Sequence, residues 1–308
     1  LSPQGPLETQ TDELITEGTD PRFATIDQLP IRDLVDLMNE ADATVPAAVG
    51  RARPAIAAAI EATAERMKAG GRLIYVGAGT PGRIGVLDAS ECPPTFSTPP
   101  GQVFAIIAGG ATAIVSPTEG AEDDAPAGAQ AMDTAGIGAL DTVIGIASSG
   151  RTPYVVAAVT RARELGALTV GLSCNPGTAL SASAEHPIEI LVGPEVISGS
   201  TRLKAGTAQK LVLNMFSTIV MVQLGKTYGN LMVDVKASNS KLRKRALRIV
   251  RTVTEAPDAE AIAALEASGY NVKQSILMIR LGIDADTAAL RLEDADGRLR
   301  VALGEETR

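Results

Sequence analysis

Two carboxylates, two glycine-rich turns and one lysine are the residues whose types and spacing suit chemistry. The first turn, Tyr75-Val76-Gly77-Ala78-Gly79-Thr80-Pro81-Gly82-Arg83, leaves an apolar run and enters a helical segment. The second, Ile146-Ala147-Ser148-Ser149-Gly150-Arg151-Thr152-Pro153, repeats that order: apolar strand, small residues, Gly-Arg, helix. Small residues let a backbone approach a ligand closely, and free N–H groups at a helix start, with Ser and Thr hydroxyls, cradle a phosphate. Candidate ligand contacts are therefore Gly79, Thr80, Gly82 and Arg83 in the first turn and Ser148, Ser149, Gly150 and Thr152 in the second. Thr152 stands where it can cap the second helix, with Pro153 at the first helical position, where a missing N–H costs nothing. Gly77-x-Gly79-x-x-Gly82 matches the dinucleotide fingerprint in form, but no clear acidic residue ends a second strand about twenty residues on, which argues against a nucleotide. Helix–strand packing explains either turn alone equally well; two such turns in one sheet favour a phosphorylated ligand.

The carboxylates are Glu91, in Asp88-Ala89-Ser90-Glu91-Cys92-Pro93-Pro94, and Glu122, in Thr118-Glu119-Gly120-Ala121-Glu122-Asp123-Asp124. The prolines after Glu91 are expected to forbid a regular helix and to fix a loop. Paired carboxylates suit general acid–base catalysis when burial or a like charge raises one pKa. The competing account of Glu122 is that acidic residues at a helix start complement the helix dipole. Lys204, in Thr201-Arg202-Leu203-Lys204-Ala205-Gly206-Thr207, is a candidate for steadying an anion, or else a helix-start lysine in solvent. A glycine bend beside a carboxylate makes sense if the bend holds a phosphate and the adjoining loop carries acid to the other end of the same small molecule.

Composition narrows the field. The chain has 308 residues, 45% hydrophobic, with 3% aromatics and no tryptophan, so small side chains must do the close packing. A net charge of −8 and the lack of a basic stripe over the first two-thirds argue against nucleic acid and acidic membranes. The one basic cluster, Lys241-Leu242-Arg243-Lys244-Arg245, reads as a solvated helix face. Cys92 and Cys174 form no CxxC, and His186 is the single histidine, so neither a metal nor any other cofactor is expected. His186, just before Pro187, reads as a surface histidine rather than a triad member. The uncharged run from Leu211 to Gly225 is too short and polar to span a bilayer and reads as a buried helix. With no signal peptide visible, a cytoplasmic location is expected.

The elements that must position these residues follow from periodicity. Residues 1–30 read as an extended arm, Ile31–Ala43 as a helix, and about Pro46–Lys68 as a second helix ending at Gly70-Gly71. Short apolar strands are expected at 73–76, 103–108, 143–147, 168–173 and 188–192, with helices between most of them, including 152–165 and one starting near Glu122. That alternation indicates an α/β fold, a doubly wound parallel sheet covered on both faces, with ligands outside the carboxyl ends of its strands. Beyond the long apolar helix after Ser200, helices near 241–252, 258–267, 272–281 and 284–292 make a small C-terminal module, with Asp258 and Asp284 as caps. The expected division is an N-terminal arm and helix at 1–45, an α/β phosphate-binding domain at 46–237 and the helical module at 238–308.

Several long motifs carry a resemblance. GAGTPGRIGVLDASECPPTF, EGAEDD, IASSGRTPYV, LSCNPGTAL, GPEVISGSTRLKAGTAQKLVLNM and NLMVDVKASN together resemble the N-acetylmuramic acid 6-phosphate etherases, over nearly the whole chain from Thr16-Glu17-Gly18 onward. The resemblance implies a sugar isomerase (SIS) fold with a five-stranded parallel sheet, a homodimer with the site near the subunit interface, and a sugar-phosphate substrate. It implies that the D-lactyl ether is eliminated and water added, giving N-acetylglucosamine 6-phosphate and D-lactate in peptidoglycan amino-sugar recycling. By resemblance, Glu122 matches the base at C2, and Glu91 matches the acid that protonates the departing lactate oxygen. One departure stands out: the family has serine at the place of Pro81, and losing one such bond to a charged group costs roughly 1.5–3 kcal/mol. The alternatives are a non-catalytic sugar-phosphate-binding regulator and an aldose–ketose isomerase of the same fold, which would keep the C3 substituent. A DNA-binding regulator is disfavoured by the acidic arm and the lack of a basic reading head.

Overall fold

The computed structural model describes residues 14–237 and 239–305; the first part of the expected arm, residues 1–13, lies outside them. In place of one extended arm, residues 14–30 form three single 3-10 turns, Ile15–Glu17, Pro21–Phe23 and Ile26–Gln28, the second held by the Asp20 carboxylate accepting from the Arg22 N–H at 2.9 Å. Helix α1 follows at Ile31–Asp42. The single second helix expected from about Pro46 is two, α2 (Val45–Arg51) and α3 (Arg53–Lys68), because the chain breaks at Ala52 before Pro54. Pro54 has no N–H to give the Gly50 carbonyl, which accepts from the Arg53 side chain instead, and proline is at home in a helix's first turn.

From Leu73 the expected alternation appears: β1 (Leu73–Gly77), α4 (Gly79–Phe96), β2 (Val103–Ile107), α5 (Ala125–Thr134), β3 (Thr142–Ile146), α6 (Pro153–Glu164), β4 (Leu168–Ser173), α7 (Ala179–Ser183), β5 (His186–Glu189) and α8 (Lys204–Gln223). The strands form one all-parallel sheet in the order β2-β1-β3-β4-β5. The central strands β1, β3 and β4 are buried at every position, which explains their continuous apolar runs. Each fully buried Ile, Leu or Val contributes roughly 1.5–3 kcal/mol. Small residues set the spacing between layers: a Cβ on Gly128 of α5 would lie 2.1 Å from the Tyr154 carbonyl of α6, and one on Gly85 of α4 would lie 2.9 Å from the Tyr75 Cβ of β1.

The chain divides into two compact units, the first comprising the chain up to Ala89 with Val103–Phe216, the second Ser90–Gln102 with Ser217–Arg308. Helices α4 and α8 therefore each run from one unit into the other, so the units do not follow a linear cut near residue 238. The second unit holds α9 (Ser240–Thr254), α10 (Asp258–Ala267), α11 (Val272–Leu281), α12 (Ala285–Asp294) and α13 (Leu299–Ala302) around its own core of Ile249, Val250, Leu265, Ile276, Leu277 and Leu299. Asp284 caps α12 by accepting from the Thr287 N–H at 2.8 Å, as expected. Asp258 is not a cap: Pro257 occupies that position, and Asp258 pairs with Arg251 at 2.7 Å from the first turn of α10. No helix among the described residues is long and apolar enough to cross a membrane.

Candidate functional site

The strand order reverses between β1 and β3, since β2 and β4 follow them on opposite sides. In open parallel sheets, ligands bind outside the carboxyl ends of the strands at such a reversal. Both glycine turns fall there, one leaving β1 at Gly77 and one leaving β3 at Ile146.

In the first turn the glycines divide their work. Gly79 has φ +55, is exposed, and has open space where a Cβ would stand, so its backbone needs glycine and its outer side is free for a ligand. Gly82 is buried: a Cβ there would lie 2.6 Å from the Ile107 side chain and 2.9 Å from the Gly77 carbonyl. Its role is to let α4 close onto the strand ends. Thr80 is half-buried with its methyl beside Gly206 of α8, and the Arg83 Nε donates to the Ile114 carbonyl at 2.9 Å. Gly79, Arg83 and Glu122 line one cavity of about 240 Å³, together with residues 117–121.

Glu122 itself is exposed and precedes α5; Asp124, not Glu122, caps that helix by accepting from the Ala127 N–H at 2.9 Å. The Glu122 carbonyl accepts from the Tyr154 N–H at 3.0 Å, which ties this loop to the start of α6 and so to the second turn. There Thr152 occupies the N-cap position of α6 with Pro153 following, but among the described residues its side chain makes no capping bond. Ser149 Oγ accepts from the Arg151 N–H at 3.2 Å. Gly150 has φ +66, and a Cβ on it would lie 2.4 Å from the Thr178 side chain. Ser148 is buried; its carbonyl accepts from the Cys174 N–H at 2.9 Å and from Asn175 Nδ2 at 3.0 Å, and its Oγ accepts from Gln209 Nε2 at 3.0 Å. Asn175 Nδ2 also donates to Thr16 Oγ1 at 3.0 Å, so the N-terminal segment is fastened behind this turn.

Lys204 corrects its solvent-exposed alternative. It is buried at the start of α8, its Nζ donating to the Val192 carbonyl at 2.9 Å. Buried Glu195 accepts from the Lys204 N–H at 3.0 Å and the Ala205 N–H at 2.9 Å, so a carboxylate of the protein already occupies this helix start. Burial lowers the Lys204 pKa, with Glu195 acting in the opposite direction. Neighbouring Cys174 is held as a thiol, its pKa pushed up to about 12 by burial and by Glu195.

Glu91 requires a second correction. It lies not in a proline-fixed loop but on α4, which continues to Phe96 with Pro93 and Pro94 inside it. Proline costs about 3 kcal/mol in a helix interior, and burial of Cys92 and Phe96 on these last turns offsets it. Glu91 is exposed and belongs to the second unit. The first unit thus brings Gly79, Arg83 and Glu122 to one cavity, with the 148–152 turn tied to the Glu122 loop and Thr80 beside α8, while Gly82 and Lys204 are buried in packing. Asn175, Glu195 and Gln209 were missed as site-building residues; their signal was a polar side chain inside otherwise apolar or small-residue stretches. His186 opens β5, half-buried. Among the described residues no group of three or more His, Cys, Asp or Glu is arranged around a metal position.

A parallel sheet of this order, with both small-residue turns at the reversal, defines a sugar isomerase (SIS) domain protein, and residues 120–219 match the SIS domain family. Residues 55–163 match the glucokinase regulatory protein N-terminal SIS domain, and 229–286 the C-terminal lid domain of glucokinase regulatory protein. The N-acetylmuramic acid 6-phosphate etherase of Rubrobacter xylanophilus is 58% identical over 302 residues, covering 98% of this chain and 100% of that one. That of Streptomyces coelicolor is 59% identical over 297 residues, 96% of each chain, and that of Escherichia coli O81 is 50% identical over 297 residues, 96% of this chain and 100% of its own. The chain belongs to the N-acetylmuramic acid 6-phosphate etherase family.

Proposed function

We propose that the protein is a carbon–oxygen lyase that cleaves the D-lactyl ether of N-acetylmuramic acid 6-phosphate, giving N-acetylglucosamine 6-phosphate and D-lactate. The observation that carries this reading beyond family membership is the cavity shared by Gly79, Arg83 and Glu122, with the Glu122 loop tied to the serine turn. An anion seated at the first turn meets backbone N–H groups with a carboxylate lining the same cavity, and the second turn, tied to the Glu122 loop, adds hydroxyls.

The sugar ring opens first, making the C2 proton acidic because it lies α to the aldehyde. Glu122 takes that proton, the C3–oxygen bond breaks, and Glu91 protonates the departing lactate oxygen. Water then adds at C3 of the unsaturated aldehyde, Glu91 taking its proton as C2 is reprotonated. Ser148, Ser149, Gly150 and Thr152, with Gly79 and Thr80, hold the phosphate. A homodimer in the cytoplasm is part of the proposal; Ile31, Val35 and Met38, exposed at helical spacing on α1, form an apolar stripe that association would cover.

The test is D-lactate release from the purified protein with no metal or nucleotide added, run in heavy water. Deuterium is expected at C2. Glu122→Gln abolishes that exchange, lowering the rate by about 10²–10⁴, whereas Glu91→Gln blocks lactate release and leaves some exchange. Lactate release surviving in both variants refutes the assignment, and product that retains the lactyl group points to an isomerase instead.

A further inference from the structure

We propose that Gln209 is a positioning residue that fixes Ser148 as a hydrogen-bond donor toward the bound phosphate. The inference rests on the phosphate reading of the serine turn and adds what sets the direction of that grip. Gln209 is fully buried on α8, and its Nε2 donates to Ser148 Oγ at 3.0 Å. The Ser148 main chain is held as well, its carbonyl accepting from the Cys174 N–H at 2.9 Å and from Asn175 Nδ2 at 3.0 Å.

A hydroxyl carries one hydrogen and two acceptor lone pairs. Because the Gln209 N–H occupies a lone pair, the Ser148 hydrogen remains to be given to something else. An oxyanion, which only accepts, is the ligand such a hydroxyl suits. A carboxylate in the place of the amide would do the reverse: it would take the Ser148 hydrogen and leave lone pairs facing the phosphate.

The amide's other end supports the reading. Gln209 Oε1 is buried and has no hydrogen-bond partner among the described residues. An orphaned buried acceptor costs stability that an apolar side chain of similar volume would not, so packing alone gives no reason for glutamine here. The helix carrying it is anchored by Glu195 at its first two N–H groups and lies with Gly206 against Thr80 of the first turn. One element therefore references both turns.

The test compares the native protein with Gln209→Met, Gln209→Glu, Ser148→Ala and the double variant Ser148→Ala/Gln209→Met. The probes are inorganic phosphate, as a competitive inhibitor and as a ligand in thermal melts, and D-lactate release. Gln209→Met is expected to weaken inorganic phosphate and raise KM by about threefold to tenfold, with kcat within about twofold, because one directed bond to a charged group is loosened rather than removed. Gln209→Glu should weaken both further, and lowering the pH should restore them in part as the carboxyl becomes protonated. In the Ser148→Ala background, Gln209→Met should add nothing, since the hydroxyl it aims is gone.

Gln209→Met with native phosphate inhibition and only a changed melting temperature overturns the proposal, as does an effect of full size in the Ser148→Ala background. If Gln209→Glu fails to fold, Gln209→Met and the double variant still decide. Ser148→Ala with unchanged phosphate inhibition would instead refute the phosphate reading of the turn itself.

Discussion

Pro81→Ser tests the phosphate grip by adding to it. Pro81 is the third residue of α4, between Gly79 and Arg83, which line the site cavity. The first four N–H groups of a helix have no intrahelical acceptor, so a proline here costs the helix nothing but withholds a donor from any anion at the turn. Serine restores that N–H and adds a hydroxyl. One hydrogen bond to a charged group contributes about 1.5–3 kcal/mol, which corresponds to a KM for the 6-phosphate sugar lower by roughly tenfold to hundredfold. The phosphate is remote from the bond that breaks and is held equally in the ground and transition states, so kcat should stay within about twofold while kcat/KM rises. The same substitution releases the unfolded chain from proline's constraint and should cost about 0.4–1 kcal/mol of stability, a fall in Tm of roughly 1–4 °C. Steady-state D-lactate release and competition by inorganic phosphate read the first effect, and a thermal melt reads the second. An unchanged or raised KM in a normally folded variant would show that the start of α4 does not hold the phosphate.

Two further substitutions probe the frame. Gly150→Ala forces a Cβ into a left-handed backbone position with φ +66 and to 2.4 Å from the Thr178 side chain; the two effects together should cost about 2–5 kcal/mol and lower Tm by roughly 5–15 °C in calorimetry. Asp141 accepts from the Arg72 Nε and from the Gly138 N–H, each at 2.9 Å; burial acts to raise its pKa, but these bonds and the Arg72 charge hold it below 3.8. A depressed carboxylate pKa stabilises above the unfolded value and loses that contribution as pH falls through the folded one. The Tm gap between native protein and Asp141→Asn should therefore be full at neutral pH and close only below about pH 4; a gap unaltered down to about pH 2 would assign the effect to packing.

Where local chemistry and tertiary packing agreed, the fold was legible. The helices expected near 258–267 and 272–281 are found there, and in the structure Asn271 caps the start of the second while Gly282 takes the left-handed position at its end. The strands were readable because burial on both faces demands unbroken apolar runs. The errors came where packing outweighed propensity. Pro93 and Pro94 signal a break, yet α4 passes through them to bury Phe96. Lys204 reads equally as an anion contact or as a lysine in solvent, and the solvent alternative fails because it is buried against the Val192 carbonyl. In both cases the residue's own preference is worth a few kcal/mol at most, and neighbours remote in sequence decide.

The proposed phosphate site would have to hold an anion on a chain with net charge −8. The long-range field of the protein is unfavourable, so attraction must come from dipoles close to the phosphate, where a short distance outweighs net charge. Such dipoles work only if their directions are fixed, since a freely rotating hydroxyl or amide would reorient toward solvent. Buried neutral groups suit that fixing: Gln209 donates to the Ser148 hydroxyl, Asn175 to the Ser148 carbonyl, and Thr16 in turn is bonded to Asn175. Of the charged residues here, Lys204 is committed to the Val192 carbonyl and Glu195 to the start of α8, while Arg83 lines the cavity with its Nε on the Ile114 carbonyl. On the proposed phosphate reading, the Arg83 guanidinium adds one charge to an otherwise neutral, internally braced hydrogen-bond network, so binding should weaken only modestly with ionic strength, unlike that of a site built from surface lysines.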